Sequence, residues 1–155
     1  MTNPARVAPD AAAQSAAEAI ALELAARDLY DAAIAAGAAD PLWSALREQH
    51  ESYAQRLAGL IGTQASGADA DLVGQLGATF GVADPAAAAV ELENTLAAGH
   101  VTRLGEVGDT DIVSALASII TAESRHAVVA GRLAGENDPD ALFVNPLTPS
   151  IEAGA

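Results

Sequence analysis

Two Asp-Pro pairs, Asp40-Pro41 and Asp84-Pro85, together with a series of glycines, cut an otherwise continuous run of helix formers into segments. No other sequence feature constrains the fold as strongly. An Asp at the N-cap accepts hydrogen bonds from the first free backbone N–H groups, and a proline at the first helical position removes an N–H that would have no partner. Ala, Leu, Glu, Gln and Arg fill the intervals, while β-branched and aromatic residues are thinly spread, so helix is favoured over strand. The first helix is expected from Asp10 to near Gly37 and the second from Pro41 to about Gly62. The third runs from Pro85 to about Gly105, and the turn Gly108-Asp109-Thr110-Asp111 opens a fourth that stops at Gly135. Each would be about 30 to 40 Å long, which suits an all-α, antiparallel four-helix bundle.

A short extra helix is predicted within Leu72 to Phe80, in the connection between the second and third long helices. Pro139, Pro146 and Pro149 oppose further helix, so residues 136–155 read as an extended C-terminal tail that docks through Leu142, Phe143 and Val144. Residues 1–9 read as a flexible N-terminus and 10–135 as one domain. At 155 residues and 51% hydrophobic content, one core is the default.

The second and fourth helices look like copies. Placing His50 over His126 puts Ala54 on Ala130 and Arg56-Leu57-Ala58-Gly59 on Arg132-Leu133-Ala134-Gly135 without a gap. In their partners, Leu22-Glu23 corresponds to Leu92-Glu93, and Tyr30, seven residues on, corresponds to His100. The expected arrangement is therefore two duplicated helical hairpins about a pseudo-two-fold axis.

Helical projection at about 100° per residue then places ionisable side chains where the core should be. Ile112, Leu116, Ile119, Ala127, Ala130 and Leu133 enclose Glu123 and His126, and Ala89, Leu92, Leu96, Ala97 and Leu104 enclose Glu93 and His100. Leu22, Ala26, Leu29, Tyr30 and Ala33 surround Glu23, while Trp43, Leu46, Tyr53, Ala54, Leu57 and Ile61 surround Arg47 and His50. A buried carboxylate must neutralise, pair or bind a cation. Glu123 and His126, three apart, present an oxygen and a nitrogen from adjacent turns, and facing helices can bring Glu23, Glu93 and His50 to the same centre.

At these residues the chain resembles the ferritin-like superfamily, in particular the bacterial ferritin-like domain proteins related in fold to rubrerythrin. The resemblance covers about Ala16 to Gly135 and is strongest around Glu123-Ser-Arg-His126. It implies a Glu on the first and third helices and Glu-x-x-His on the second and fourth, around two metal ions. Glu23, His50, Glu93, Glu123 and His126 are the matching metal-ligand candidates. The second helix departs, with Arg47 where the family has a Glu. Arg47 could pair with Glu23, Glu93 or Glu123 and take the space of one ion. Tyr30 and His100 are expected beside the ligands as core residues, the Tyr30 hydroxyl bonded to a carboxylate.

Three functions follow from that reading: an iron or manganese centre of one or two ions for chemistry with oxygen or peroxide, a metal-free scaffold or interaction domain whose Arg-Glu-His network replaces the metal, or iron storage within a homo-oligomer. No catalytic residue is singled out. The net charge of −14, with seven Lys plus Arg, disfavours nucleic acid and anionic membranes. Absence of cysteine excludes thiolate ligands and cysteine nucleophiles, and no phosphate loop or serine nucleophile motif occurs. The opening Met1 to Asp10 has no hydrophobic signal core and no window is a continuous apolar run of spanning length, so no membrane insertion and a cytoplasmic location are expected.

Overall fold

Asp40, Asp84 and Asp109 act as the helix caps that the punctuation implies. Their carboxylates accept from the N–H of Leu42, from those of Ala86 and Ala87, and from those of Asp111 and Ile112, respectively. The computed structural model describes residues 10–78, 80 and 84–143, and among them there are helices and no strands. The elements are α1 (Asp10–Ala35), α2 (Pro41–Leu60), α3 (Ala70–Gly77), α4 (Pro85–Leu104), α5 (Thr110–Leu133) and α6 (Pro139–Phe143). Of the glycine stops, Gly37, Gly62 and Gly135 adopt positive φ, where an L side chain would be strained, whereas Gly105 stays in the helical region.

Helix α1 packs along α2 and α4 along α5, with further contacts of α1 on α4 and α2 on α5. Two apolar clusters fix their directions. One gathers Ala16 and Ile20 from early α1, Ala54 and Leu57 from late α2, and Ile112, Leu116 and Ile119 from early α5. The other joins Leu29 and Tyr30 of late α1, Trp43 and Leu46 of early α2, Leu72 and Leu76 of α3, Leu92 and Leu96 of α4, and Ala130 of late α5. Neighbouring long helices are thus antiparallel, and α2 runs in the same direction as α4. The connection between them must return along the molecule, and α3 lies within it, packed on α1.

Between α1 and α4, Gly99 leaves space that the Leu22 side chain of α1 fills. A Cβ there would lie 3.0 Å from Leu22 Cδ1 and 3.3 Å from Arg103 Nη1. The absent side chain therefore lets the neighbours Glu23 and His100 meet.

Three expectations need correction. Leu133 is 43% exposed, because it falls in the last turn of α5 beyond the buried ladder that ends at Gly131. Residues 139–143 form a helix rather than an extended strap, since Pro139 stands in the first turn, where it costs no hydrogen bond. Leu142 packs over Gly131, where a Cβ would come within 2.9 Å of it, but Phe143 is 71% exposed. Val144 and the rest of the tail, like residues 1–9, lie outside the described residues. Helix α5 is long and apolar enough to cross a membrane by length and composition, yet its inner face carries Glu123 and His126 against the other helices.

Leu116 is fully buried and Val129 half exposed on the same helix. Leu116→Ala should lower stability by about 2 to 5 kcal/mol. Val129→Ala should change it by less than about 1 kcal/mol. Urea unfolding of both variants measures this, and equal costs would contradict the inner face assigned to α5.

Candidate metal centre

Six ionisable side chains meet in the layer between the two apolar clusters. Glu23 comes from α1, His50 from α2, Glu93 and His100 from α4, and Glu123 and His126 from α5. Five are wholly buried, and His126 is 7% exposed. Each sits on the inner stripe of its helix, so the apolar residues that place the helices also place these groups.

Glu93 is the most heavily bonded. Its Oε1 accepts from the Tyr30 hydroxyl at 2.5 Å and lies 3.1 Å from His50 Nε2, and its Oε2 lies 3.1 Å from His126 Nδ1. Glu23 bridges two imidazoles, with Oε2 2.6 Å from His50 Nδ1 and Oε1 2.7 Å from His100 Nε2. The contacts are reciprocal between α1 and α4. Tyr30 of α1 serves the glutamate of α4, and His100, at the matching place in α4, serves the glutamate of α1. Tyr30 also stacks on His50, with ring centroids 5.5 Å apart, and on Trp43 at 6.2 Å, which walls one side of the centre.

Glu123 is different. Its Oε1 stands 3.2 Å from His100 Nε2, but that nitrogen is hydrogen-bonded to Glu23, and neither Glu123 oxygen has a hydrogen-bond partner. His100 Nδ1 is likewise buried without one. A buried polar atom left unbonded costs about 1 to 3 kcal/mol.

The charges follow from these contacts. Burial pushes the Glu123 carboxyl up to about 8, against the pull of His100 and with the added repulsion of Glu23 and Glu93. Burial would also raise Glu93, but His50 and His126 hold it at about 2, and the imidazoles of His100 and His50 similarly keep Glu23 low. Burial disfavours charge on His100, yet Glu123 and Glu23 outweigh it and raise the imidazole to about 10. His50 is raised well above its ordinary value for the same reason, by Glu93 and Glu23. Burial therefore favours the protonated form of Glu123, while their histidine partners favour the ionised forms of Glu23 and Glu93.

The donor atoms are close enough to share a cation. One atom each from Glu23, His50 and Glu123 lie within 4.8 Å of one another, and so do one each from His50, Glu93 and His126. Carboxylate oxygen with imidazole nitrogen suits iron, manganese or zinc. The unbonded Glu123 oxygens fit such an ion, because a cation would supply the partner they lack.

Arg47 does not enter this layer. Its Nε lies 3.1 Å from Asp31 Oδ1, its Nη2 3.9 Å from Glu51 Oε2, and its side chain is one-third exposed. It falls at the margin of the α2 stripe, where a long stem can reach water and avoid the cost of burying a guanidinium. It pairs with none of Glu23, Glu93 or Glu123 in the hydrogen bonds and ion pairs of the described residues. His100, expected beside the ligands, instead stands between Glu23 and Glu123. Gln49 was not anticipated at all. It projects from the exposed side of α2, but its Oε1 is 2.9 Å from His126 Nε2.

No protein-family model matches the sequence, and neither a curated protein nor a solved structure does.

Protonation couples the centre to stability. Glu123 keeps its proton in the folded state up to about 8, whereas the unfolded chain loses it near 4.5. His100 likewise holds a proton to about 10 rather than 6.5. The folded state binds more protons over both intervals, so the metal-free protein should lose stability as pH rises from about 5 to 10. Glu93, held at about 2, works the other way, and its contribution is lost as pH falls from 4.5. Urea midpoints at pH 5, 7 and 9 should fall in that order, and Glu123→Gln should flatten the decline. A midpoint that rises from pH 5 to 9 would contradict the assigned protonation states.

Proposed function

We propose that this chain is a ferritin-like four-helix bundle whose interior binds iron or manganese through Glu23, His50, Glu93, Glu123 and His126. The observation that carries the reading is Glu123, a fully buried carboxylate with both oxygens unbonded, within ligand range of Glu23 and His50. Natural cores avoid such a group unless something else satisfies it. The antiparallel order of the long helices, the return connection through α3, and the reciprocal Tyr30–Glu93 and His100–Glu23 bonds support the duplicated frame.

The centre departs from the family pattern at one place. Arg47 holds the register of the fourth glutamate and turns outward, while His100 brings an imidazole nitrogen between Glu23 and Glu123. The donor set is therefore richer in nitrogen and poorer in carboxylate than the pattern implies. When bound, iron or manganese would supply redox chemistry toward oxygen or peroxide. The chain's own part is to hold the donors, exclude water through the two apolar clusters, and keep the Tyr30 hydroxyl protonated on Glu93. Burial and the Glu93 charge raise that hydroxyl well above its ordinary value.

A second reading has an observation of its own. Glu23, His50, Glu93, His100 and His126 already form a connected hydrogen-bonded network, which could fix helix register with no metal. In that case the chain is a structural or interaction domain, held by a Glu-His network without Arg47.

The two readings separate on a tag-free preparation from cells supplied with iron and manganese. Metal binding predicts retained metal in the wild type and its loss in Glu123→Ala. A wild type without metal leaves the scaffold reading. Coordination requires neutral imidazole, so ions compete with protons and bind more tightly as pH rises. Added manganese should raise the melting temperature by more at pH 8.5 than at pH 6.5. A smaller shift at pH 8.5 would argue against ligation by these histidines.

A further inference from the structure

His126 is the member of the centre nearest to solvent. Its side chain is 9% exposed, and it lines a shallow depression with Leu46, Ala122, Arg125, Val129 and Gln49. Gln49 closes over it from α2. The amide oxygen of Gln49 accepts the Tyr53 hydroxyl at 2.8 Å and lies 2.9 Å from His126 Nε2, while the Tyr53 ring lies parallel to the imidazole, 6.3 Å away.

A carbonyl oxygen has no hydrogen to give, so the contact with His126 is a hydrogen bond when Nε2 carries the proton. A neutral ring protonated at Nε2 has a bare Nδ1. That atom faces inward, 3.1 Å from Glu93 Oε2. With no ion bound, a proton lies between them, as in the His126–Glu93 hydrogen bond described above, and a bound cation would take that place while Nε2–H stays on Gln49.

We propose that Gln49 is a positioning residue for His126, accepting a hydrogen bond from its Nε2–H so that Nδ1 is the nitrogen presented to a cation bound beside Glu93. The assignment rests on the metal-binding reading and adds the group that orients one ligand from outside the buried set. Such an outer partner fixes both the tautomer and the angle of a ligating imidazole. Tyr53 completes the arrangement by donating to the same oxygen, which holds the amide with its oxygen toward the ring. An aliphatic side chain of similar size would cover the depression without accepting the proton, and a carboxylate would accept it more strongly.

The test uses the full chain. Nitrogen NMR of the zinc-loaded protein reports which nitrogen of His126 keeps its proton. Titration with cobalt(II), followed by its visible absorption, reports affinity. The expected results are an Nε2–H ring in the wild type, loss of that preference in Gln49→Leu with about 10- to 100-fold weaker cobalt binding, and near-wild-type affinity in Gln49→Glu. An Nδ1–H ring in the wild type, or a folded Gln49→Leu with unchanged affinity, would overturn the assignment. If Gln49→Leu does not fold, Gln49→Glu and the wild-type tautomer still decide it. Wild-type protein that binds neither cobalt nor zinc would count against the metal reading; Gln49 is then judged in the metal-free protein, where Gln49→Leu should move the His126 Nε2 signal and an unchanged signal would overturn the assignment.

Discussion

Three carboxyl groups and three imidazoles share a buried layer between two apolar clusters, and the fold is tenable because Glu23, Glu93 and the three imidazoles bond to one another. Burying one unpaired charge costs several kcal/mol, more than most single apolar contacts return. Here Glu23 and Glu93 each lie between histidines, so charge is neutralised within a few ångströms. That balance requires groups from all four long helices. It ties the pairing of α1 with α2 to the pairing of α4 with α5 more specifically than the interchangeable Ala and Leu contacts around it could. Glu123 stands outside the balance. Both its oxygens are buried without a hydrogen-bond partner, unlike those of Glu23 and Glu93.

Much of this was legible in the sequence because helix punctuation and stripe position are local properties. The Asp-Pro pairs marked where α2 and α4 begin, and Asp109 marked α5, since capping involves only residues a few positions apart. Glu23, Glu93, Glu123 and His126 could be placed inside because each lies well within its apolar arc. Arg47 lies at the edge of one. A projection treats a side chain as a point, whereas an arginine stem is long enough to leave the interior from that position. The α6 turn was missed because Pro139 reads as a breaker when its place in the turn is unknown.

What lay beyond the sequence concerns distances between helices. His100 and Tyr30 each follow a glutamate by seven residues, and one is in the middle of the centre while the other caps it. Nothing in a single-helix pattern separates those roles. Gln49 projects from the outer side of α2 and meets His126 because α5 is next to it, a juxtaposition that appears only when the two hairpins are docked. Gly99 is similar: the residue is visible in the sequence, but the Leu22 side chain it admits from α1 is not.

The return connection through α3 leaves the two hairpins joined by a single strand of chain. Severed there, one fragment would carry Glu23, Tyr30, His50 and Gln49, and the other Glu93, His100, Glu123 and His126. Each piece would keep an internal pair, Glu23 with His50 and Glu93 with His126, but would lose the Glu23–His100, His50–Glu93 and Tyr30–Glu93 contacts that cross between the halves. Mixed together, the pieces would have an electrostatic reason to recombine, so the polar layer acts as the recognition code by which the two halves of the molecule find each other.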